Sequence, residues 1–184
     1  MLNEGVHFDL GTTDLCSLGS KSAAVNLSDI AEMGGTPRFC LVALGIPSRI
    51  TVEQVAELYR GFMNLARMHG ALLVGGDTCG SQRDLIISVT VLGEGRREQI
   101  ITRAGARPGD LVFVTGTLGD SAAGLELLRR GSGAGIPKTA MRRLTRKHLR
   151  PTPRIEWGRK LAASGCVSSM IDISDGLSSD LSHL

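Results

Sequence analysis

Apolar positions along the chain alternate between helical and strand spacing, with glycine and proline marking the changes. Between Ser20 and Gly34, Ala24, Leu27 and Ala31 share one stripe with Val25 and Ile30 beside it, which predicts a helix capped by Ser20 and ended by Gly34, Gly35 and Pro37. Phe39 to Gly45 reads as a strand closed by Pro47. Thr51-Val-Glu-Gln54 is a capping box, and Val52, Val55, Ala56, Tyr59, Phe62, Met63 and Ala66 keep helical spacing to about His69, with Gly70 as the stop. Strands are expected at Leu72–Gly75, Leu85–Gly93, Leu111–Thr115 and Met170–Ile173, and helices at Ala122–Arg130, Thr139–Leu149 and Arg154–Ser164. In Leu85–Gly93, Ile87, Val89 and Val91 alternate with Ser88 and Thr90, giving one more polar face. Gly131 to Gly135 reads as a flexible link, and the turn-rich Arg103–Asp110 as a domain boundary.

Two of the predicted strands end alike. Leu72-Leu-Val-Gly-Gly-Asp77 is an apolar run stopped by two glycines and an acid, and Ile171-Asp-Ile-Ser-Asp-Gly176 is its counterpart near the end. Glycines admit a close backbone or phosphate because they lack Cβ. Asp29 adds a carboxylate to a largely apolar helix, as either a solvent-facing residue or a group turned into a site. Carboxylates gathered without histidine or cysteine suit a hard cation, Mg²⁺ when phosphates complete the shell, and they repel one another unless a cation bridges them. The plain alternative is that each Asp caps a following helix, as Asp175 ahead of Gly176-Leu177 suggests. Gly116-Thr-Leu-Gly119 feeding a helix is an anion-site pattern, but it lacks the lysine and spacing of a P-loop.

Composition narrows the classes. At 184 residues and 42% hydrophobic content the chain suits one good core or two small domains, and 3% aromatic content argues against a stacking platform for single-stranded nucleic acid. No apolar window reaches membrane-helix length, and Glu4 stands where a secretion signal needs positive charge. Cys16, Cys40, Cys79 and Cys166 form no C-x-x-C pair and read as reduced residues of a cytoplasmic protein. Cys79 lies two residues past Asp77, with no histidine near it in sequence to activate it. Residues 1–100 hold 8 basic and 11 acidic side chains, a balance of −3, whereas residues 101–184 hold 13 and 7, a balance of +6. The nine basic residues between Lys138 and Lys160 face one acid, Glu156, and without a nucleic-acid motif they read as solvated helix faces.

Several strings together resemble the thiamine-monophosphate kinases. They are Leu2-Asn-Glu-Gly-Val-His-Phe8, Asn26-Leu-Ser-Asp29-Ile-Ala-Glu-Met33-Gly, Gly75-Gly-Asp77, Thr115-Gly-Thr-Leu-Gly-Asp-Ser121-Ala-Ala-Gly-Leu, His148-Leu-Arg-Pro151 and Asp172-Ile-Ser-Asp-Gly-Leu177. They span nearly the whole chain in the family's order. The resemblance implies ATP-dependent transfer of phosphate onto thiamine monophosphate, giving thiamine diphosphate, by direct in-line attack with magnesium assistance. It implies the α/β (α+β) fold shared with aminoimidazole ribonucleotide synthetase and selenophosphate synthetase. In that fold an N-terminal mixed sheet, with helices on one face, dimerises (residues 1–103), and an α+β domain follows (residues 104–184).

Position by position, the resemblance makes Asp29, Asp77, Asp172 and Asp175 magnesium ligands, and Tyr59, Gly76, Asp77, Arg103 and Ser174 ATP contacts. His7 matches a substrate contact. The plain alternatives are core for Tyr59, a loop charge for Arg103 and a strand cap for His7. The expected partners are thiamine monophosphate, ATP and a second copy of the chain, with neither nucleic acid nor membrane.

Met1–Phe8 reads like the tail of a strand or loop, and the helix begun at Gly176 stops at Leu184, so both ends are expected to be cut. The family's Gly-Asp-Asp motif and the Thr-Asp or Ser-Asp pair that the resemblance places just ahead of Met1, and the Gly-Glu-Asp-Tyr stretch it places beyond Leu184, are expected to be missing. Weak or no kinase activity is therefore expected of the chain as it stands. Two other readings remain open: a non-catalytic nucleotide-binding or dimerising unit, and a sister enzyme such as a selenophosphate or aminoimidazole ribonucleotide synthetase.

Overall fold

The computed structural model describes residues 1–131 and 135–184, so the expected link at 131–135 lies in part outside the described residues. Four strands, β1 (Leu2–Asn3), β2 (Thr36–Pro47), β3 (Leu72–Ser81) and β4 (Ile86–Glu94), form one mixed sheet in the order β1-β4-β2-β3. β2 and β3 run parallel, and their connection carries α2 (Val52–Met68), because parallel neighbours need a crossover. β4 is antiparallel to β2, and β1 to β4.

One core joins α1 (Leu15–Glu32), α2 and one face of the sheet. Leu18, Ala23, Leu27 and Ala31 of α1 meet Leu58, Phe62 and Ala66 of α2 over Cys40, Val42 and Leu44 of β2 and Ile87 of β4. The intervening residues of β2, Phe39 and Leu41, lie open on the other face.

α1 starts at Leu15, five residues before the expected start, and its cap is Asp14 rather than Ser20. Asp14 accepts from the Ser17 backbone N–H at 2.7 Å and from its hydroxyl at 2.6 Å. The early glycine that argues against helix by propensity is needed for packing. A Cβ on Gly19 would lie 1.9 Å from the Leu58 carbonyl oxygen, and one on Gly61 1.8 Å from that of Cys16. The two helices cross where neither has a side chain. The capping box of α2 forms as expected, with Thr51 and Gln54 each accepting from the other's backbone N–H. Gly70 follows the helix at φ +77°, as the expected stop.

β3 departs from expectation: it does not end at Gly75 but runs six residues further, paired with β2 as far as Pro47 opposite Ser81. The register slips where Cys40 pairs with Leu73 and Leu41 with Gly75, leaving Val74 unmatched. Such a bulge shifts every later side chain to the opposite face.

Beyond β4 the described residues form helices and turns: α3 (Asp120–Arg130), α4 (Lys138–Leu149), α5 (Ile155–Ser164) and α6 (Leu177–Leu181). The strands expected at Leu111–Thr115 and Met170–Ile173 are absent among them. Leu111, Val112 and Phe113 are exposed at 80%, 63% and 84%, with no neighbouring strand to take their backbone groups, and a strand exists only by pairing. α5 seats against α1, with Gly158 so close that a Cβ would lie 2.0 Å from the Ala31 carbonyl oxygen.

Candidate functional site

The expected site residues fall into three neighbourhoods. The first is the edge strand beside α2. Val42, Tyr59 and residues Leu73 to Thr78 line an open groove of about 480 Å³. Gly76 adopts φ +153°, and a Cβ there would lie 1.8 Å from the Val42 carbonyl oxygen, so only glycine fits. Asp77 is exposed, and its Oδ1 accepts from the Thr78 backbone N–H at 2.8 Å. Because β3 continues through it, Asp77 caps no helix. Tyr59 is half-buried against the core, and burial pushes its phenol up, with Thr78 opposing the shift.

The second neighbourhood is acidic and lies between α1 and the Asp172–Gly176 segment. Asp29 keeps much of its surface open, yet surrounding chain desolvates its carboxyl enough to be the main cause of a pKa near 6. Asp172 and then Glu32 push in the same direction, and Arg103 opposes them. The Asp172 carboxyl is raised as well, first by burial, with Glu32 and Asp180 adding to it while Ser28 opposes. Glu32 Oε2 accepts from the Asp172 backbone N–H at 2.8 Å, and its Oε1 stands 3.5 Å from Arg103 Nη2. Asp29, Asp172 and Arg103 therefore meet in one place, although 143 positions separate Asp29 from Asp172.

Ser174 and Asp175 follow on the same segment, both exposed, their backbone N–H groups bound to Asp180 Oδ2 at 3.0 and 3.2 Å. Asp175 is not a helix cap: α6 starts after Gly176 with no side-chain cap bond. Glu32 and Asp180 were not singled out from the sequence. The one signal that pointed to them is the acid four residues after Gly176 and the acid three residues after Asp29.

The third neighbourhood surrounds His7. Its Nδ1 accepts from the Asn3 backbone N–H at 3.1 Å, the turn-closing role that a strand cap predicts. The His7 carbonyl oxygen lies 3.4 Å from Lys21 Nζ, which in turn lies 3.5 Å from His148 Nε2. With Lys21 donating to Nε2, Nδ1 carries the hydrogen toward Ser121 Oγ at 3.1 Å. Burial, then Lys21 and Arg129, hold the His148 pKa down to about 4.

Among the described residues, no three His, Cys, Asp or Glu side chains converge closely enough to hold a metal ion by themselves. The donor set nevertheless fits a hard cation: Asp29 and Asp172 present oxygen ligands whose mutual repulsion a divalent ion relieves. All four cysteines are free, Cys40 buried and Cys79 and Cys166 exposed. No helix among the described residues is long and apolar enough to cross a membrane.

Fold and site together define an α/β protein with an oxygen-rich acidic cluster between α1 and the Asp172–Gly176 segment, and a glycine-opened groove along the edge strand. Residues 1–94 match the family model described as AIR synthase related protein, N-terminal domain, and the chain belongs to that family. Among its relatives is the thiamine-monophosphate kinase of Bacillus subtilis (strain 168), 40% identical over 181 residues, covering 98% of this chain and 55% of the relative. Among solved structures, a complex described as AaThiL with AMPPCP and TMP superposes with a TM-score of 0.89 at 39% identity, over 99% of this chain and 56% of that one. The thiamine-monophosphate kinase from Stenotrophomonas maltophilia K279a gives 0.87 at 40% identity, over 99% and 57%. The chain thus spans a little over half the length of the relatives it matches.

Proposed function

We propose that this chain carries the nucleotide and metal groups of a thiamine-monophosphate kinase, which phosphorylates thiamine monophosphate to thiamine diphosphate with ATP. The observation that carries the reading is the meeting of Asp29, Asp172 and Arg103 around Glu32, in a chain about 40% identical to such kinases over nearly its whole length. The complex with AMPPCP, an ATP analogue, and TMP supports the choice of substrates.

In this reading Asp29, Asp77, Asp172 and Asp175 hold Mg²⁺, and Tyr59, Gly76, Asp77, Arg103 and Ser174 contact ATP. His7 contacts thiamine monophosphate. When bound, magnesium neutralises phosphate charge and so lets two anionic substrates approach. The chain's own residues orient and shield. Gly76 keeps the strand edge free of side chain, Tyr59 walls the groove, and Arg103 offers a charged fork to phosphate oxygens. The attacking phosphate oxygen is already anionic, so no general base is needed, and positioning supplies most of the rate.

The protein acts in the cytoplasm, where its free thiols stay reduced, and pairs through the open face of its sheet. The chain should bind Mg–AMPPCP in calorimetry and form thiamine diphosphate from Mg–ATP and thiamine monophosphate only weakly. Binding without product favours the second reading, a nucleotide-binding unit without catalysis. A chain that does neither contradicts the kinase assignment.

A further inference from the structure

The Asp172–Gly176 segment carries three of the proposed ligand groups, yet among the described residues it belongs to no strand and most of it is exposed. Two side chains from outside it hold its backbone. Asp180 is 4% exposed, and its Oδ2 accepts the backbone N–H groups of Ser174, Asp175 and Gly176 at 3.0, 3.2 and 3.1 Å. Glu32, whose side chain is 10% exposed, accepts the N–H of Asp172 at 2.8 Å and reaches Arg103 with its other oxygen at 3.5 Å.

A buried carboxylate is costly unless its lone pairs are filled, and here backbone amides fill them. Filling them serves little purpose for α6 itself. The bonded amides lie ahead of that helix, which has only five residues and no side-chain cap. What the bonds do determine is the path of the chain from Asp172 to Gly176, where Gly176 turns at φ +115°.

We propose that Asp180 and Glu32 are positioning residues: they clamp four backbone amides of the segment so that Asp172, Ser174, Asp175 and Arg103 meet the nucleotide as a preorganised set. Asp180 holds the distal part of the segment, and Glu32 ties its start to α1 and to Arg103. Neither side chain is itself a ligand group. The proposal rests on the nucleotide-binding reading above. Groups that orient ligands from behind commonly change affinity by about 10- to 100-fold when removed.

The test combines amide hydrogen exchange with calorimetry of Mg–AMPPCP binding, on the wild-type chain and on Asp180→Ala, Asp180→Asn and Glu32→Ala. In the wild type, the amides of Ser174, Asp175 and Gly176 should exchange slowly for so exposed a segment. Asp180→Ala should release all three and weaken Mg–AMPPCP about 10-fold or more. Asp180→Asn keeps an acceptor oxygen and should recover part of both, which also covers the case in which the alanine variant does not fold. Glu32→Ala should release the Asp172 amide and weaken binding while leaving the other three protected.

Wild-type binding with unchanged affinity in folded variants overturns the clamp alone. Unprotected amides in the wild type overturn it as well. A wild-type chain that does not bind Mg–AMPPCP overturns the nucleotide reading and the clamp with it, so the two failures are distinguishable.

Discussion

At the scale of single residues, Asp77 and His148 show how environment assigns roles. Asp77 neither caps a helix nor pairs with a cation among the described residues; it is an exposed carboxylate beside a groove that glycine keeps open. Asp77→Asn removes its charge without changing its shape, so Mg–AMPPCP should bind more weakly, measurably by calorimetry, with the melting temperature little changed. Unchanged affinity would reduce Asp77 to a turn residue. His148 has its pKa held down to about 4 against an ordinary 6.5, because a half-buried imidazole beside Lys21 is costly to charge. The folded chain therefore binds fewer protons than the unfolded chain between those values, and stability falls as pH drops from about 6.5 toward 4. At about 1.4 kcal/mol per unit, discounted for the ring's partial exposure, the loss should be roughly 1–3 kcal/mol. His148→Gln should flatten that part of the urea-denaturation profile against pH.

At the scale of elements, the legible parts were those in which local chemistry and tertiary packing agree. The Thr51/Gln54 box and Gly70 bound α2 because the cap bonds and the left-handed stop are local. The start of α1 was hidden because Gly19 reads as a helix breaker until α2 is laid against it. The expected strand at Leu111–Thr115 had strand composition but finds no pairing partner among the described residues, and pairing is not written in a segment's own residues. The extension of β3 past Gly75 is hidden for the same reason: β2 supplies the ladder that carries the glycines. Of the site, the carboxylates and glycines could be found from their order in the chain, whereas the clamps Glu32 and Asp180 emerge only when backbone amides are traced to their acceptors. The close helix crossing yields a direct test. Gly61→Ala places a methyl group 1.8 Å from the Cys16 carbonyl oxygen, so α1 and α2 must separate. Overpacking of this kind costs about 1–3 kcal/mol, to be read from the denaturant midpoint, and an unchanged midpoint would show that the crossing has slack.

At the scale of the whole molecule, the sheet is covered on one face and open on the other. Phe39 stands across from Leu72 on β3 and from Leu92 on β4, making an apolar row three strands wide, with Leu41 next on β2 and Val74 at the bulge. All five are at least 37% exposed. Contiguous apolar surface of this kind marks an interface, and its twofold partner in the proposed assembly is the same face of a second copy. The row shares only Val74 with the Tyr59 groove, so association centred on Phe39 need not close that groove. The chain should sediment as a dimer at micromolar concentration, and Phe39→Glu, at the centre of the row, should shift it to monomer. Because Phe39 is 44% exposed and outside the core, the monomeric variant should keep its circular dichroism spectrum and its Mg–AMPPCP affinity. A wild-type monomer would contradict the dimer. A monomeric variant that loses nucleotide binding would instead show that the second copy supports the site, and that the groove and the open face are coupled through β2 and β3.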